Sequence, residues 1–463
     1  MKLRLATAIA AGKITYLVLR RLGLGGGTAA PGLVAATLAP TVLSGLVDSL
    51  ARGSVIITGT NGKTTTSRLI SDILRQAGLK PIHNRSGSNM IRGLVSTVVV
   101  ASNVAGRLPA DIGVWEVDEA TLPDAMTAIR PRLVIINNLF RDQLDRYGEV
   151  NTVAAIWEKA LAALPPDATV VLNADDPRVA HLGETARQTV VYFGIEDGGC
   201  ALATLPDAAD SIHCLRCAHP LIYDAVFASH LGRYRCAVCG LQRPAPQVRA
   251  EHIAITENSS TVRVRAGDRQ LTLQLALPGL YNAYNALAAT AAALALGIAS
   301  TSIEQAVADF RAAFGRVERL RVGDKDIALF LVKNPAGFNE VLRTLFSGNH
   351  RQNVLIIIND LLADGTDVSW LWDVDFEMMQ GKVAQAAVSG IRAADMALRL
   401  KYAEAQPVTG QTLVEPDIAH AVSRALDMTP TGETLYILPT YTAMLAVKDA
   451  LARRGLAPRW QDD

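Results

Sequence analysis

The sequence predicts an α/β protein, and three observations carry that prediction. Short apolar runs of strand length alternate with helix-period patterns, a glycine-rich turn joins one such run to an amphipathic helix, and two Cys-x-x-Cys pairs interrupt the alternation. The 463 residues, half of them apolar, predict two or three domains rather than a single core. Lys plus Arg number 45 against 44 Asp plus Glu, and the resulting charge of +1 offers no bulk basic surface for binding nucleic acid by counterion release.

In chain order, residues 1–22 read as an amphipathic helix lying on the first domain or near a membrane surface. Lys13, Arg20 and Arg21 break its apolar run, so it predicts neither a membrane span nor a secretory signal. The expected location is cytoplasmic, with at most peripheral contact at the inner face of a membrane. The glycines at 25–27, Thr28 and Pro31 punctuate the helix end, and a second helical pattern completes an N-terminal segment over 1–50. A central domain is expected over 51–310. It opens with a buried strand at 54–58, the glycine turn, and a helix at 64–77 closed by Gly78. Strands at 112–117, 133–137 and 169–172 alternate with helical patterns such as 153–163, which predicts a mostly parallel sheet covered by helices. From Cys200 the composition changes, and an insertion is expected at about 205–246. Strands resume at 261–264 and 271–275, before an Ala-rich helix at 282–296. A Rossmann-like α/β domain is expected over 315–463, with strands at 327–332, 354–358 and 434–438.

The turn reads GTNGKTTT over 59–66. Gly59 and Gly62 let backbone N–H groups point at phosphate oxygens, Lys63 neutralises the β and γ phosphates, and the Thr64 hydroxyl can ligate Mg2+. Thr60, Asn61 and Thr65 complete the expected ATP cradle. The strict eight-residue Walker pattern would want Gly at Ile57, so the narrower string carries the assignment.

Cys214 and Cys217 are separated from Cys236 and Cys239 by eighteen residues, a spacing that suits two knuckles closing a tetrahedral Zn2+ site. Four thiolates leave no open coordination position, so the expected zinc is structural.

GTNGKTTT resembles the ATP loop of the Mur ligase superfamily, whose members make acyl phosphates and couple them to amines. The resemblance continues in Glu116 of WEVDEA, which matches the family glutamate that binds Mg2+, in NLFRDQLDRYG over 138–148, and in NADDP over 173–177. An acidic group at a strand's C-terminal edge facing a phosphate loop is also where Mg2+ belongs on physical grounds. GLYNAYNALAA over 279–289 is similar to the family's adenine-contacting segment, so Asn282 and Asn285 carry over as nucleotide ligands. Two departures leave the number of Mg2+ ions open. Gln143 stands where most members have His, and Trp157 and Glu158 stand where they have a carbamylated Lys, with Lys159 out of step.

The inserted zinc ribbon, a knot of four cysteines around one metal site, narrows the resemblance to the synthetase subunits of lipid II isoglutaminyl synthase, together with GGGTAAPG at 25–32, NRSGSNM at 84–90, LVKNPAGFNEVL at 331–342, ADGTDVSWLWDVDFE at 363–377 and LPTYTAML at 438–445. That resemblance implies an ATP-dependent carbon–nitrogen ligase with glutamine as amido donor. ATP would phosphorylate the α-carboxylate of D-Glu in the lipid II stem peptide, and ammonia would open the acyl phosphate to D-isoglutamine. Ammonia is scarce at neutral pH, so a glutaminase is needed, usually with a Cys nucleophile at a sharp strand-to-helix turn. Cys200, in DGGCALAT, lacks that elbow and reads as a packing residue. The expected partner is therefore a separate GatD-like glutaminase chain in a heterodimer. The resemblance further implies an Asp lent to the partner's Cys-His site, and Asp373 is chosen from Asp364, Asp367, Asp373, Asp375 and Glu377. Arg316, Lys333 and Asn334 are expected near the interdomain cleft by analogy. Two other readings stay open: a ligase adding an amino acid directly, and a zinc-ribbon ATPase using Arg233, Arg235 and Arg243 on nucleic acid.

Overall fold

The computed structural model describes residues 2–22, 29–84, 88–103, 105–142, 150–206, 209–256, 258–311, 317–348, 350–408 and 410–456. The glycines at 25–27, Thr28, Gln143 and Arg316 lie outside the described residues.

Apolar runs that bury both faces make parallel strands, and the first body follows that rule. Its strands are β1 (Ser54–Thr58), β2 (Pro81–His83), β3 (Ile112–Glu116), β4 (Leu133–Ile136), β5 (Thr169–Asn173) and β6 (Thr189–Ile195). A hairpin of β7 (Ile222–Ala228) and β8 (Leu231–Arg235) is inserted before β9 (Val248–Ile255), β10 (Ser260–Ala266) and β11 (Arg269–Leu275). The nine-stranded sheet runs β11-β10-β9-β6-β5-β4-β1-β3-β2, with the last three strands in sequence antiparallel at one edge. Successive residues of β1 serve opposite cores. Val55 and Ile57 pack with Leu69, Ile73 and Ala289 on one face, and Ile56 packs with Trp115, Val98 and Trp157 on the other. The fold class expected from sequence is the one observed.

β1 pairs with β3 on one side and β4 on the other, so the strand order reverses there. A crevice opens beyond the carboxyl ends of strands at such a reversal, and the phosphate loop follows β1 directly. The second body holds β12 (Val317–Val322), β13 (Lys325–Phe330), β14 (Gln352–Ile357), β15 (Val383–Ser389), β16 (Leu413–Val414) and β17 (Thr434–Pro439) in the order β12-β13-β17-β14-β15-β16. Its alternating residues also feed two cores, Phe330 and Ile356 to one and Leu329 and Ile357 to the other.

The N-terminal helix Lys2–Arg21 lies on the first body as expected, but it is not amphipathic in the simple sense. Ala8 and Ile9 are buried, while Ile14, Leu17 and Val18 face solvent.

Candidate functional site

The phosphate loop is shaped by two left-handed glycines and by the chain after β4. Gly59 has φ +132° and Gly62 has φ +85°. A Cβ on Gly62 would sit 2.0 Å from Asn285 Oδ1, so neither backbone nor space admits another residue there. Asn138 accepts from the Asn61 N–H at 2.8 Å through its side chain and from the Thr60 N–H at 3.0 Å through its carbonyl. Phe140 N–H donates to the Thr60 hydroxyl at 3.0 Å. Asn138 and Phe140 of NLFRDQLDRYG therefore position the loop.

Lys63 opens the helix Lys63–Gln76, and its Nζ donates to Glu119 Oε1 at 2.9 Å and to the Gly59 carbonyl at 2.6 Å. Burial alone would lower the Lys63 pKa, but Glu119, then Glu116 and Asp118, hold it above the ordinary lysine value. The ammonium is thus fixed as a cation. Glu116, at the end of β3, is 3 % exposed, and its Oε2 is buried without a hydrogen-bond partner. Its backbone is gripped by Asn84, which accepts from the Glu116 N–H and donates to the Glu116 carbonyl, both at 2.9 Å. A buried carboxylate oxygen left open beside a phosphate loop fits a divalent cation, which Thr64 and Glu116 would hold. Trp157, fully buried, donates its indole N–H to the Glu119 carbonyl at 3.0 Å. The departure at Trp157 noted from sequence thus buttresses the acidic loop, while Lys159 is exposed.

Beyond the loop lies a cavity open to solvent, about 1020 Å³ with its open mouth included, whose walls include Asn61, Thr65, Asn282, Asn285, Lys333 and Glu340. Asn282 donates to the Pro278 carbonyl at 2.8 Å, and Asn285 Oδ1 accepts from Thr66 at 3.4 Å. Both carried-over asparagines line the cavity, and Asn285 also packs on the phosphate loop. Burial pushes the Glu340 carboxyl up to about 7, against the pull of Arg343. Near neutrality it can offer both a hydrogen-bond donor and an acceptor to whatever fills the cavity.

Lys333 also borders a second cleft of about 490 Å³, shared with Arg141, Asp142, Asn334, Trp370 and Asp373. Lys333 bonds the Thr60 carbonyl at 3.2 Å and pairs with Asp142, and Asn334 exchanges hydrogen bonds with Asn61 at 3.1 and 3.4 Å. The second body is therefore latched onto the phosphate loop. The acidic string is divided by its partners. Asp364 holds the N–H and hydroxyl of Thr442, Asp375 pairs with Asn339, and Glu377 pairs with Arg399. Asp367 accepts from the Ser369 N–H in a local turn. Asp373 faces the cleft 3.4 Å from Arg141 with 37 % of its side chain exposed.

The four sulfurs of Cys214, Cys217, Cys236 and Cys239 lie within 4.8 Å of one another, close to the about 3.8 Å edge of a tetrahedron with zinc–sulfur bonds. The N–H groups of Cys239 and Val238 draw the Cys236 thiol down to about 6. A soft tetrahedral ion fits this set. The knot's hairpin reaches the site, since Ala228, Ser229 and Leu231 line the large cavity and Arg343 donates to the Phe227 carbonyl at 2.6 Å. Its arginines are committed to carboxylates: Arg243 to Asp175 and Glu196, Arg233 to Glu196, and Arg235 to Asp224. No open basic patch forms from them. Cys200 is buried, and burial followed by Asp197 pushes its thiol up to about 11, as suits a packing residue.

The Mur ligase middle domain family matches residues 57–214, and the MurT ligase C-terminal family matches residues 331–444. A lipid II isoglutaminyl synthase (glutamine-hydrolyzing) subunit MurT of Streptococcus pneumoniae is 35% identical over 98% of this chain and 99% of its own length. The chain belongs to the MurT family. Solved structures share the fold: a pseudomurein peptide ligase type C from Methanothermus fervidus has a TM-score of 0.66 at 23% identity, covering 87% of this chain and 79% of that one. A MurF ligase from Thermotoga maritima in complex with ADP has a TM-score of 0.65 at 12% identity, covering 91% and 84%.

Within this MurT fold the sequence reading missed Glu119, Asp142 and Glu340. Glu119 and Asp142 share a small hollow with Thr60. Glu119 lies three residues beyond Glu116 within WEVDEA, and Asp142 and Glu340 lie within NLFRDQLDRYG and LVKNPAGFNEVL, so membership of those strings was the available signal.

Proposed function

We propose that this MurT-family chain uses ATP to phosphorylate the α-carboxylate of D-glutamate in the lipid II stem peptide, and that ammonia from a GatD-like glutaminase then converts the acyl phosphate to the amide. The observation that carries this reading is Lys333, which stands in the wall of both cavities. ATP in the larger cavity would place its γ-phosphate between Lys63 and Lys333, and an acceptor carboxylate would approach from the cleft ending at Asp373. The carboxylate oxygen bonds to phosphorus as the bond to ADP breaks. Ammonia then attacks the acyl carbon, loses a proton and expels phosphate.

Lys63 and Lys333 neutralise charge as it moves onto ADP, and their preformed hydrogen bonds spare reorganisation during transfer. Thr64 and Glu116 would hold Mg2+, which supplies Lewis-acid neutralisation of the phosphates. The latch from Asn334 to Asn61 keeps the two bodies together, which would protect the acyl phosphate from water. The four-cysteine knot would hold a structural Zn2+.

For the partner, the exposed face around Asp373 supports a docking role. Trp372, Leu362, Ile391 and Tyr402 are all more than half exposed there, and aromatic anchors beside a carboxylate suit an interface. Asp373 would complete the partner's Cys-His site. In the reconstituted pair, Asp373→Asn should reduce glutamine hydrolysis at least a hundredfold while ATP binding is retained. Unchanged glutamine turnover would remove Asp373 from that role. The whole reading fails if the pair, given precursor, glutamine, ATP and magnesium, releases no ADP and leaves the precursor's mass unaltered.

A further inference from the structure

The first 47 residues contain Lys2, Arg4, Lys13, Arg20 and Arg21 but neither Asp nor Glu, and Asp48 is the first acidic residue of the chain. Since the whole chain balances to +1, this end is a concentrated positive region on a near-neutral protein. The helix Lys2–Arg21 is pinned along one side. Gly12 packs so closely that a Cβ would meet Val99 at 2.7 Å and the Pro31 carbonyl at 3.0 Å, and Lys13 donates to the Val100 carbonyl at 2.8 Å. Along its other side Ile14, Leu17 and Val18 are 61, 56 and 49 % exposed, and Leu22, just past the helix end, is 65 % exposed. At 3.6 residues per turn, positions 14, 17, 18 and 21 share one stripe, so Arg21 lies within the apolar row and Arg20 flanks it. Scattered exposed apolar residues need no explanation, but a contiguous row edged by arginines does.

We propose that the face carrying Ile14, Leu17, Val18, Arg20, Arg21 and Leu22 seats the protein on an anionic phospholipid surface. Apolar side chains there enter the boundary between headgroups and acyl chains, and arginines meet phosphate oxygens while their stems stay with the lipid. No helix among the described residues is long and apolar enough to cross a membrane, so the contact is in the plane of the surface. Charge decides against a second copy as occupant. A two-fold contact through this face would set Arg20 and Arg21 against their own copies, four like charges with no acidic residue of the first 47 to pair them. The placement also suits the site. The helices Lys2–Arg21 and Ala30–Leu38 are held on Ile91–Ala101, the latter through the Gly32 N–H donating to Ser96 Oγ at 2.7 Å. Asn84 and Ser88, just before that helix, bond each other, and Asn84 grips Glu116. The helix Ile91–Ala101 thus lies between the membrane-facing helix and the strand end carrying Glu116. The benefit to turnover rests on the lipid-linked acceptor proposed above, whereas surface binding does not.

The full chain should sediment with vesicles of equal parts phosphatidylglycerol and phosphatidylcholine, and at least tenfold less with pure phosphatidylcholine. Leu17→Glu with Val18→Glu should cut binding to anionic vesicles at least tenfold. Arg20→Ser with Arg21→Ser should cut it by about fivefold per arginine, a loss that added salt reproduces in the wild type. Both pairs are on exposed positions, and retained ATP binding reports an intact fold; should the glutamate pair misfold, the serine pair decides. Absence of sedimentation, equal binding to both vesicles, binding indifferent to both variants, or a wild-type dimer that the glutamate pair dissolves would each overturn the proposal. With the glutaminase present, the glutamate pair should lose turnover on vesicle-embedded precursor and keep it on a short-chain soluble analogue. If the wild type turns over neither, the proposed function fails while the vesicle result stands by itself.

Discussion

Glu340 sits in the wall of the large cavity, and burial raises its carboxyl from 4.5 in the open chain to about 7, with Arg343 opposing. Below pH 4.5 both folded and unfolded chains carry the proton, so the group contributes no pH dependence. Between 4.5 and 7 the unfolded chain ionises while the folded one retains its proton, so stability falls as pH rises. Above 7 the full penalty is present. The slope reaches about 1.4 kcal/mol per pH unit for a single proton. Glu340→Gln should therefore raise the urea midpoint at pH 8, leave it little changed at pH 4, and flatten the profile between. Parallel profiles for the two proteins would refute this account of the site.

The hairpin β7–β8 spans a different scale, because it joins the cysteine knot at one end to the cavity wall at the other. Arg243 crosses from the end of the knot to Asp175 at 2.6 Å, and Tyr284 on the helix Leu280–Ala295 reaches the same carboxylate at 2.7 Å. An ordered knot thus fixes the wall against which a nucleotide would lie. Structural zinc contributes about 10–16 kcal/mol in isolated finger peptides, so its loss should unfold this element locally. Cys236→Ser should abolish bound zinc as measured by atomic absorption, speed amide exchange across 222–235, and weaken ATP binding by about tenfold. Retained zinc, or unchanged exchange in the hairpin, would show that the four sulfurs do not act as one knot.

At the scale of the molecule, Lys333 and Asn334 decide how the two bodies meet. Asn334 caps the helix Pro335–Phe346 through the Gly337 N–H at 2.8 Å while holding Asn61, so one side chain couples a helix start to the phosphate loop. Lys333 adds a cation aimed at the same loop. Removing one donor that stabilises developing charge typically costs about 100- to 1000-fold in kcat. Lys333→Met should lower ATP turnover by about 100-fold and loosen amide protection over 59–64, with the melting of the second body preserved. Full turnover would place phosphoryl transfer elsewhere.

By itself the sequence determined the local features. GTNGKTTT between an apolar strand and an amphipathic helix specifies a phosphate loop because glycine conformation, strand burial and helix start are set within about twenty residues. The paired cysteines were legible for the same reason, and the strand at 54–58 is β1 to the residue. Strands β2, β12 and β16 went unread because they are edge elements, and β6, β9 and β15 because their runs mix polar with apolar residues and only their sheet neighbours bury them. The tertiary structure alone decided which charges meet. Glu119 reaches Lys63 across 56 residues, and Lys333 reaches Thr60 across 273. Among five acids in one string it tied Asp364, Asp375 and Glu377 to partners on other segments, kept Asp367 in a local turn, and turned Asp373 to the cleft. Side chains of one type read alike in sequence, and their chemistry diverges only when packing sets their burial and their neighbours.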